Sequence, residues 1–385
     1  MIAFTAKTMY TPLERIEEPL LIVEDGFISE VTSRSRREIP EHCQHFDFAG
    51  AVLAPAFIDI HIHGGAGHDV MEGDPVSLHA FEKLMASHGV GNYLPTTVTA
   101  PVEVTLSALG RLADTIEQGA DCSEGRARPL GIHLEGPFIS HVRRGVHPPE
   151  NLLLPSLKAF DRFWDAARGY IRMMTIAPEL PGAQEVIAEA VKRGVCVSLG
   201  HSDADMGSTR TAVAAGARHA THAFNAMRPL DHRHPGILGE VLTDSHLSAD
   251  IIADGIHLDP AIVDLFLKIK GVESAVLITD ATAATGMPEG RYRLGALDVE
   301  VRGGKCLSNG KLAGSVLTMD HAVRNVMQFA RWDLQQSLRL ATLNPARVAG
   351  LDTGGCLKPR SPANILVLNR EGEIQKTIMG GVCNF

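Results

Sequence analysis

Two histidines end the first strongly apolar run of the chain, in the segment Asp59-Ile60-His61-Ile62-His63. Residues two apart on a β-strand point to the same face, so the imidazoles of His61 and His63 can bind one metal ion. The same spacing also occurs among ordinary surface and core histidines. Taken alone, this motif leaves a metal site and a structural role equally open.

Five later apolar runs also end in side chains that can bind metals or transfer protons. They end at Glu135, at His201, at His222, at His257 and at Asp280. Imidazole and carboxylate groups suit Zn²⁺ or another borderline divalent ion, which lowers the pKa of water toward about 7. Asp280, at the end of the last run, is suited to take the proton of that water and pass it to a leaving nitrogen. These residue types therefore predict hydrolysis of an amide or a related C–N bond.

Eight short apolar runs alternate with helical patterns through the middle of the chain, at 57–61, 93–99, 130–134, 171–176, 195–199, 219–221, 247–252 and 275–279. The clearest helical pattern repeats apolar residues at helical spacing over 181–194, and another is predicted to begin at Asp259-Pro260 and run through Ile269. Eight βα units predict a parallel (β/α)₈ barrel over 55–345, with the polar strand ends meeting at one edge. A doubly wound open sheet has the same periodicity and remains an alternative.

Short β-like segments at the two ends of the chain predict a second domain. Residues 20–31 contain an Asp-Gly turn between two apolar runs, and residues 364–381 contain a Glu-Gly turn between two more. Each pair is too small to fold alone. We therefore predict that they combine in a small β-sandwich domain of residues 1–54 and 346–385.

Composition and charge exclude several classes of protein. The 385 residues are 45% hydrophobic, and 36 Lys and Arg against 45 Asp and Glu give a formal charge of −9. No basic segment interleaved with aromatics is present, so no nucleic acid partner is predicted, and the pair Arg143-Arg144 is expected to be solvated. Six scattered cysteines indicate reduced thiols, and no signal or membrane segment is evident. We therefore predict a cytoplasmic protein.

Longer motifs give these residues a family context. At PAFIDIHIHG, GIHLEGPFIS, RRGVHPP, GHSDA, THAFNAMRPL, HRHPG, DGIHLD, ITDA and LAGS, the sequence resembles the amidohydrolase superfamily and, within it, the N-acetylglucosamine-6-phosphate deacetylase family. The match extends over nearly the whole chain, and the His-Leu-Glu-Gly-Pro and Thr-His-x-x-Asn-Ala-Met segments are specific to that family. The resemblance implies metal-dependent removal of acetyl from a phosphorylated N-acetyl amino sugar by a homodimer or a dimer-based oligomer.

The resemblance implies a role for each residue that matches a family motif. Glu135, His201 and His222 match the principal metal ligands, and Asp280 matches the catalytic base and acid. His147 matches a catalytic residue that also binds the substrate near the scissile amide and polarises its carbonyl. The remaining implied substrate-binding residues are His257 for the sugar, Asn225 and Ala226 for the sugar phosphate through the backbone, Arg233 for the phosphate across a dimer, and Ala313 and Gly314 in a loop that closes on the ligand.

The number of metal ions per subunit differs within this family. Members that keep the first-strand HxH motif bind two metals, and members that replace it bind one. His61 and His63 are intact here. The resemblance therefore implies one or two divalent ions, with zinc expected and Glu135 as the bridge between two.

Three alternatives remain open from the sequence. The nearest keeps the chemistry and changes the sugar, for example to N-acetylgalactosamine-6-phosphate. A second is another amidohydrolase, such as a dihydroorotase, a hydantoinase or a nucleobase deaminase. Amidohydrolases with a carboxylated lysine need a Lys at the end of the fourth strand, and residues 174–179 contain none, which argues against those members. The third is a non-catalytic binding protein on the same fold, which would be expected to have lost ligands.

Overall fold

The N-terminal part of the chain is made of β-strands. The structure, a computed structural model, describes residues 1–119, 125–351 and 354–384. Its first strands are β1 (Ile2–Tyr10), β2 (Arg15–Glu17), β3 (Pro19–Glu24), β4 (Phe27–Ser33) and β5 (Gln44–Pro55). The predicted hairpin in residues 20–31 is formed by β3 and β4, which pair antiparallel. Asp25 and Gly26 make its turn with φ values of 49° and 80°, which matches the turn type that Asp-Gly favours.

The middle of the chain contains the strands of the predicted barrel. In order they are β6 (Phe57–Ile62), β7 (Gly64–Gly65), β8 (His68–Asp69), β9 (Val90–Thr97), β10 (Arg128–Pro129), β11 (Ile132–Glu135), β12 (Ile171–Ile176), β13 (Cys196–Leu199), β14 (His219–Ala220), β15 (Ser248–Ile252) and β16 (Ala275–Ile278). β7 and β8 form a small hairpin, and β10 pairs only with β9. The other eight are parallel and follow one another in chain order from β6 to β16.

The first and last of these eight strands meet, which distinguishes a barrel from an open sheet. The backbone N–H of Asp280 donates to the carbonyl oxygen of His61 at 2.9 Å, and the Thr279 hydroxyl donates to Asp59 Oδ2 at 2.5 Å. The prediction of a (β/α)₈ barrel is therefore confirmed. The C-terminal ends of all eight strands consequently surround one mouth.

Helices cover the outside of the barrel. They are α1 (Pro75–Ser87), α2 (Val102–Gln118), α3 (Leu157–Ala166), α4 (Ala183–Lys192), α5 (Met206–Ala214), α6 (Gly236–Thr243), α7 (Pro260–Ser274), α8 (Met319–Ala330), α9 (Leu334–Leu340) and α10 (Leu343–Val348). α4 is shorter than predicted because Gly182 adopts a left-handed φ of 83° just before it. α7 begins where predicted, since the Asp259 carboxylate caps the N–H of Ala261 at 2.8 Å. None of the helices in the described residues is long and apolar enough to cross a membrane.

A four-stranded antiparallel sheet follows β16 and was not predicted. Its strands are β17 (Gly290–Leu294), β18 (Leu297–Arg302), β19 (Lys305–Ser308) and β20 (Lys311–Leu312). The chain returns from it to the barrel mouth, where the N–H of Ser315 donates to the carbonyl oxygen of Asp280 at 2.7 Å. This sheet therefore positions residues 313 and 314 beside the end of the last barrel strand.

The C-terminal strands complete the sheet that the N-terminus begins. They are β21 (Ile365–Leu368), β22 (Ile374–Met379) and β23 (Val382–Asn384). β5 pairs with β1 on one side and with β21 on the other, so both termini form one sheet, and its core includes Phe4, Leu21, Leu53, Ile365 and Ile378. This confirms a β domain built from both ends of the chain. The exact division at residues 54/55 and 345/346 stays a prediction.

The cysteines that the structure describes in full are free thiols: Cys43, Cys196, Cys306 and Cys356. Cys122 lies outside the described residues. The side chain of Cys383 is also not described.

Candidate active site

Side chains from five barrel strands meet at the mouth of the barrel. His61 and His63 come from β6 and its end, Glu135 ends β11, and three residues directly follow β13, β14 and β16, namely His201, His222 and Asp280. All six side chains are buried. The strand-end residues that the sequence singled out are therefore brought together, apart from His257, which lies at the edge of the same cavity.

Glu135 is the centre of this cluster. Its Oε1 lies 3.2 Å from Nε2 of His201 and 3.2 Å from Nε2 of His222. Its Oε2 lies 3.4 Å from Nε2 of His63, and its Oε1 lies 3.4 Å from Nε2 of His61. One carboxylate thus faces both histidine pairs, which is the arrangement that a bridging ligand requires.

Two sets of donor atoms around this carboxylate are compact enough to hold a metal ion. In one set, His61, His63 and Asp280 have ligand atoms within 4.8 Å of one another, and in the other the same holds for Glu135, His147 and His201. Nε2 of His222 lies 3.1 Å from Nε2 of His201 and so belongs beside the second set. The geometry therefore adds His147 to the metal-capable residues, which the sequence assigned only to catalysis and substrate binding.

The tautomers of three histidines favour metal binding. His63, His201 and His222 each have Nδ1 at hydrogen-bond distance from a backbone carbonyl oxygen: that of Thr96 at 2.9 Å, that of Arg143 at 3.0 Å and that of Asn225 at 3.2 Å. A carbonyl oxygen only accepts, so Nδ1 of each ring carries a proton, and Nε2 is the atom left to bind a metal when the ring is neutral. The three Nε2 atoms lie beside the Glu135 carboxylate. A divalent cation fits such a donor set.

The electrostatics of the cluster also favour positive charge at its centre. Burial alone would raise the pKa of Asp280, but attraction to His61 and a hydrogen bond with His63 outweigh burial and lower that pKa to about 2. The pKa of Glu135 is held well below its usual range in the same way, chiefly by His61. Burial alone would lower the pKa of His222, but its hydrogen bond with Glu135 and the negative charge of that carboxylate outweigh burial and raise the pKa to about 9. Both carboxylates are thus ionised.

His147 has the opposite tautomer. The backbone N–H of Thr99 donates to Nδ1 of His147 at 3.3 Å, and the Thr99 hydroxyl lies 2.8 Å from the same atom. Burial, together with repulsion from His201, lowers the pKa of His147 to about 3, so its ring is neutral and carries its proton on Nε2. That atom lies 3.7 Å from Glu135 Oε2. His147 therefore presents an N–H donor to the cluster, whereas His63, His201 and His222 have their Nδ1 protons turned away from it.

Thr99 is a functional residue that sequence reasoning missed. Its approach to His147 depends on Gly136, which has a φ of 72° and where an added Cβ would lie 2.2 Å from the Thr99 hydroxyl oxygen. A threonine just after a strand carries no signal by itself. Only the glycine in the His-Leu-Glu-Gly-Pro segment indicated a close approach of this kind.

A cavity of about 240 Å³ opens above the cluster. Its wall includes the predicted substrate-binding residues Asn225, Ala226, His257, Ala313 and Gly314. Nδ1 of His257 lies 2.7 Å from Asp254 Oδ2, which fixes its proton on Nδ1 and leaves Nε2 to accept from a ligand hydroxyl. Nδ2 of Asn225 is buried and has no hydrogen-bond partner among the described residues. Both side chains are thus available to a polar ligand.

Two arginine predictions have different outcomes. The expectation of a solvated pair is wrong for Arg143, which is half-buried and whose Nε donates to Asp203 Oδ1 at 2.8 Å. Arg233 lies in the loop after β14, is exposed, and does not line the cavity of its own chain. Its role in phosphate binding stays a prediction.

The model of the amidohydrolase family matches residues 52–383. The chain is 37% identical over 383 residues to an N-acetylgalactosamine-6-phosphate deacetylase of Escherichia coli O157:H7, with 99% of this chain and 98% of that protein covered. It is 39% identical over 355 residues to the N-acetylglucosamine-6-phosphate deacetylase of Bos taurus, with 87% and 84% covered. A mutant N-acetyl-D-glucosamine-6-phosphate deacetylase from Mycobacterium smegmatis, solved in complex with N-acetyl-D-glucosamine-6-phosphate, superimposes with a TM-score of 0.92 at 33% identity over 99% of this chain and 98% of its own. Together with the His, Glu and Asp cluster at the barrel mouth, these similarities show that the chain belongs to the amidohydrolase family.

Proposed function

We propose that this protein hydrolyses the acetamide of N-acetylglucosamine-6-phosphate to give glucosamine-6-phosphate and acetate. The observation that carries the proposal is the pairing of a proton acceptor and a proton donor across one metal-capable cluster: the ionised Asp280 and the Nε2–H of His147. Relatives with this activity in their names match the chain over most of its length. A scaffold or binding protein would have no need of this donor and acceptor pair.

The protein groups divide the reaction between them. A bound divalent cation supplies Lewis acidity and lowers the pKa of water toward about 7. Asp280 accepts the proton of the attacking water, while Nε2–H of His147 donates to the acyl oxygen as its negative charge develops. The protonated Asp280 then donates to the amide nitrogen, the C–N bond breaks, and the amine leaves. His147 and the cluster keep the carbonyl oriented throughout.

The ligand set is best divided by tautomer and by distance. Glu135, His201 and His222 form the proposed principal zinc site, and His61 and His63 form a proposed second site with Glu135 as bridge. His147 carries its proton on the atom that faces the cluster, so it is assigned to the acyl oxygen in preference to the metal. Zinc is proposed because imidazole nitrogen and carboxylate oxygen at a site with open positions are its usual ligands in hydrolases.

The positions of the cavity residues around the barrel suggest how the sugar is oriented. His147 follows β11 and His257 follows β15, and these strands are four apart in a barrel of eight. The two histidines thus belong to opposite sides of the mouth. We propose that the acetamide lies on the His147 side and the sugar ring on the His257 side, with Asn225 and Ala226 toward the phosphate and the loop of Ala313 and Gly314 covering the ligand.

The sugar epimer has a specific second candidate, N-acetylgalactosamine-6-phosphate, because a relative with that name matches 99% of this chain. Release of acetate should be measured with both sugar phosphates and with unphosphorylated N-acetylglucosamine, and metal content should be determined on the same sample. We expect the highest kcat/KM with N-acetylglucosamine-6-phosphate. A higher kcat/KM with N-acetylgalactosamine-6-phosphate would make that compound the assigned substrate. If metal-loaded protein released no acetate from any of the three sugars, the deacetylase assignment would be overturned.

Arg233 provides a test of phosphate recognition. A planar guanidinium can bind a phosphate through two hydrogen bonds, and the chain as a whole carries a charge of −9. Arg233→Ala is expected to weaken binding of the phosphorylated substrate by about 1.5–3 kcal/mol, the usual scale of a hydrogen bond to a charged group. The unphosphorylated sugar should be almost unaffected. Arg36→Ala, at an exposed arginine of the terminal domain, is the control, and kcat/KM for both sugars is the measurement.

The same variant tests the proposed dimer. Because Arg233 does not line its own cavity, we propose that it reaches the phosphate bound to a second copy of the chain. Mixing Arg233→Ala chains with Asp280→Asn chains should then restore part of the activity, since one site in each hybrid has both residues. Equal losses of kcat/KM in Arg233→Ala for the phosphorylated and the unphosphorylated sugar would rule out a phosphate role. If mixed chains recovered no activity after demonstrated subunit exchange, a role of Arg233 across subunits would be contradicted.

A further inference from the structure

Asp203 joins the loops that follow three barrel strands. Its Oδ1 accepts from Nε of Arg143 at 2.8 Å, and its Oδ2 accepts from Nη2 of Arg228 at 2.9 Å. Arg143 belongs to the loop after β11, Asp203 to the loop after β13 and Arg228 to the loop after β14. One carboxylate therefore connects three loops at the barrel mouth, and Asp203 does not line the cavity.

Two of these loops supply the carbonyl groups that orient the proposed metal ligands. The carbonyl oxygen of Arg143 accepts from Nδ1 of His201 at 3.0 Å, so the residue held by Asp203 through its side chain orients a ligand through its backbone. The carbonyl oxygen of Asn225, three residues before Arg228, accepts from Nδ1 of His222 at 3.2 Å. Asp203 thus lies one step behind the acceptors of two principal ligands.

The position of Asp203 is itself fixed from a fourth loop. Glu179, which follows β12, accepts from the backbone N–H of Asp203 at 2.7 Å and from the Ser202 hydroxyl at 2.7 Å. With its backbone held by Glu179, the Asp203 carboxylate can act as a fixed anchor for both arginines.

We propose that Asp203 is a positioning residue that strengthens cation binding by holding the carbonyl groups of Arg143 and Asn225 against His201 and His222. The inference rests on the proposed function in that it takes these histidines as metal ligands. Asp203 belongs to neither metal-capable set and does not line the cavity. Mutation of a group that hydrogen-bonds directly to a metal ligand typically changes metal affinity about 10–100-fold. Asp203 is one hydrogen bond further from the histidines than such a group, so we expect an effect at the low end of that range.

A purely structural role has a different expected signature. The Asp203 side chain is 29% exposed, and ion pairs near the surface contribute little to the free energy of unfolding. If Asp203 acted only as such a pair, its removal would lower the Tm slightly and would leave cation affinity unchanged. The affinity of the full chain for Zn²⁺ therefore separates the two roles.

The test measures the Kd for Zn²⁺ by competition with a chelator, on metal-stripped protein and without any activity assay. Asp203→Ala is expected to raise Kd about tenfold, and Asp203→Asn less, because an amide oxygen can keep one guanidinium contact. Asp161→Ala is the matched control, since Asp161 accepts from Nη2 of Arg193 at 2.6 Å on the barrel exterior. The Kd of Asp161→Ala for Zn²⁺ should equal that of the wild type. The Tm of metal-free Asp161→Ala should fall as much as the Tm of metal-free Asp203→Ala.

Each outcome of this experiment supports or overturns a separate claim. An unchanged Kd in Asp203→Ala and Asp203→Asn, with tight binding by the wild type, would overturn the inference and leave the metal site standing. No binding by the wild type would instead overturn the proposed metal-dependent function. The double variant Arg143→Ala/Asp203→Ala adds an internal check. If Asp203 acts through Arg143, the double variant should raise Kd by a smaller factor than the product of the two single-variant factors. A factor equal to that product would contradict action through Arg143.

Discussion

Asp280→Asn is expected to lower kcat for N-acetylglucosamine-6-phosphate by about 10²–10⁴-fold, the usual contribution of a general base and acid. Asp280 Oδ1 lies 3.1 Å from His63 Nε2, at the edge of the cluster that faces the cavity. An amide cannot accept the proton of the attacking water, and it cannot return one to the leaving nitrogen. The loss should therefore appear mainly in kcat, with a much smaller change in KM.

Asparagine is a well-matched replacement at this position. Asp280 has a φ of 50°, a left-handed backbone conformation that Asn tolerates better than most residues. The fold and the approach of Ser315 to the Asp280 carbonyl should therefore be kept. Asp264→Asn, at a half-buried carboxylate of α7 that pairs with Lys268 outside the cluster, serves as the control and should retain wild-type kcat. Metal content must be measured for both variants; near-normal kcat in Asp280→Asn would require another base, and His147 would be the next candidate.

The sequence predicted which strand-end side chains meet at the barrel mouth because the signal was local to each strand. Residue spacing along a strand shows that His61 and His63 share a face, and the alternation of strands and helices implies that all strand ends meet at one edge. Glu135, His201, His222 and Asp280 could thus be assembled before any coordinates. What spacing could not show was that one carboxylate, Glu135, faces both histidine pairs.

The groups that orient the ligands could not be predicted, since they act through the backbone or between separate loops. The carbonyl oxygens of Thr96, Arg143 and Asn225 orient three histidines that we propose as ligands, and a carbonyl group has no residue-type signature. Asp203 and Arg143 are 60 residues apart, so their contact exists only after the barrel has closed.

The sheet of β17–β20 is a different case, because its signal was present in the sequence. Two of its three turns fall at Gly303-Gly304 and at Asn309-Gly310, all with positive φ, and these are dipeptides that favour tight hairpins. The pattern was missed because the segment lies inside the region assigned to barrel units. Recognising the turns would have placed Ala313 and Gly314 at the end of a hairpin returning to the barrel mouth.

Removal of the divalent cation is expected to abolish deacetylation, and restoring Zn²⁺ should recover it. In the metal-free protein, Nε2 of His201 and Nε2 of His222 lie 3.1 Å apart beside the ionised Glu135, and no Lewis acid is present to polarise an acyl group. The protein's own groups, Asp280 and His147, would remain in place but would have no activated water to act on. Activity and metal content, measured on the same chelator-treated sample, check this expectation; full activity in demonstrably metal-free protein would overturn the mechanism.

Cation binding should also stabilise the fold, which gives a readout that does not depend on catalysis. A ligand that binds only the folded state raises the free energy of unfolding by about 2.7 kcal/mol at a free concentration of 100 times its Kd. Denaturant unfolding with and without Zn²⁺ should therefore show a shift of this size in the wild type. Glu135→Ala, which removes the carboxylate that faces both histidine pairs, should lose the shift, whereas Asp264→Asn should keep it. In a protein that binds two ions, His63→Gln is expected to lower the number to one, because it removes a member of the metal-capable set of His61, His63 and Asp280 and leaves Glu135, His201 and His222 in place.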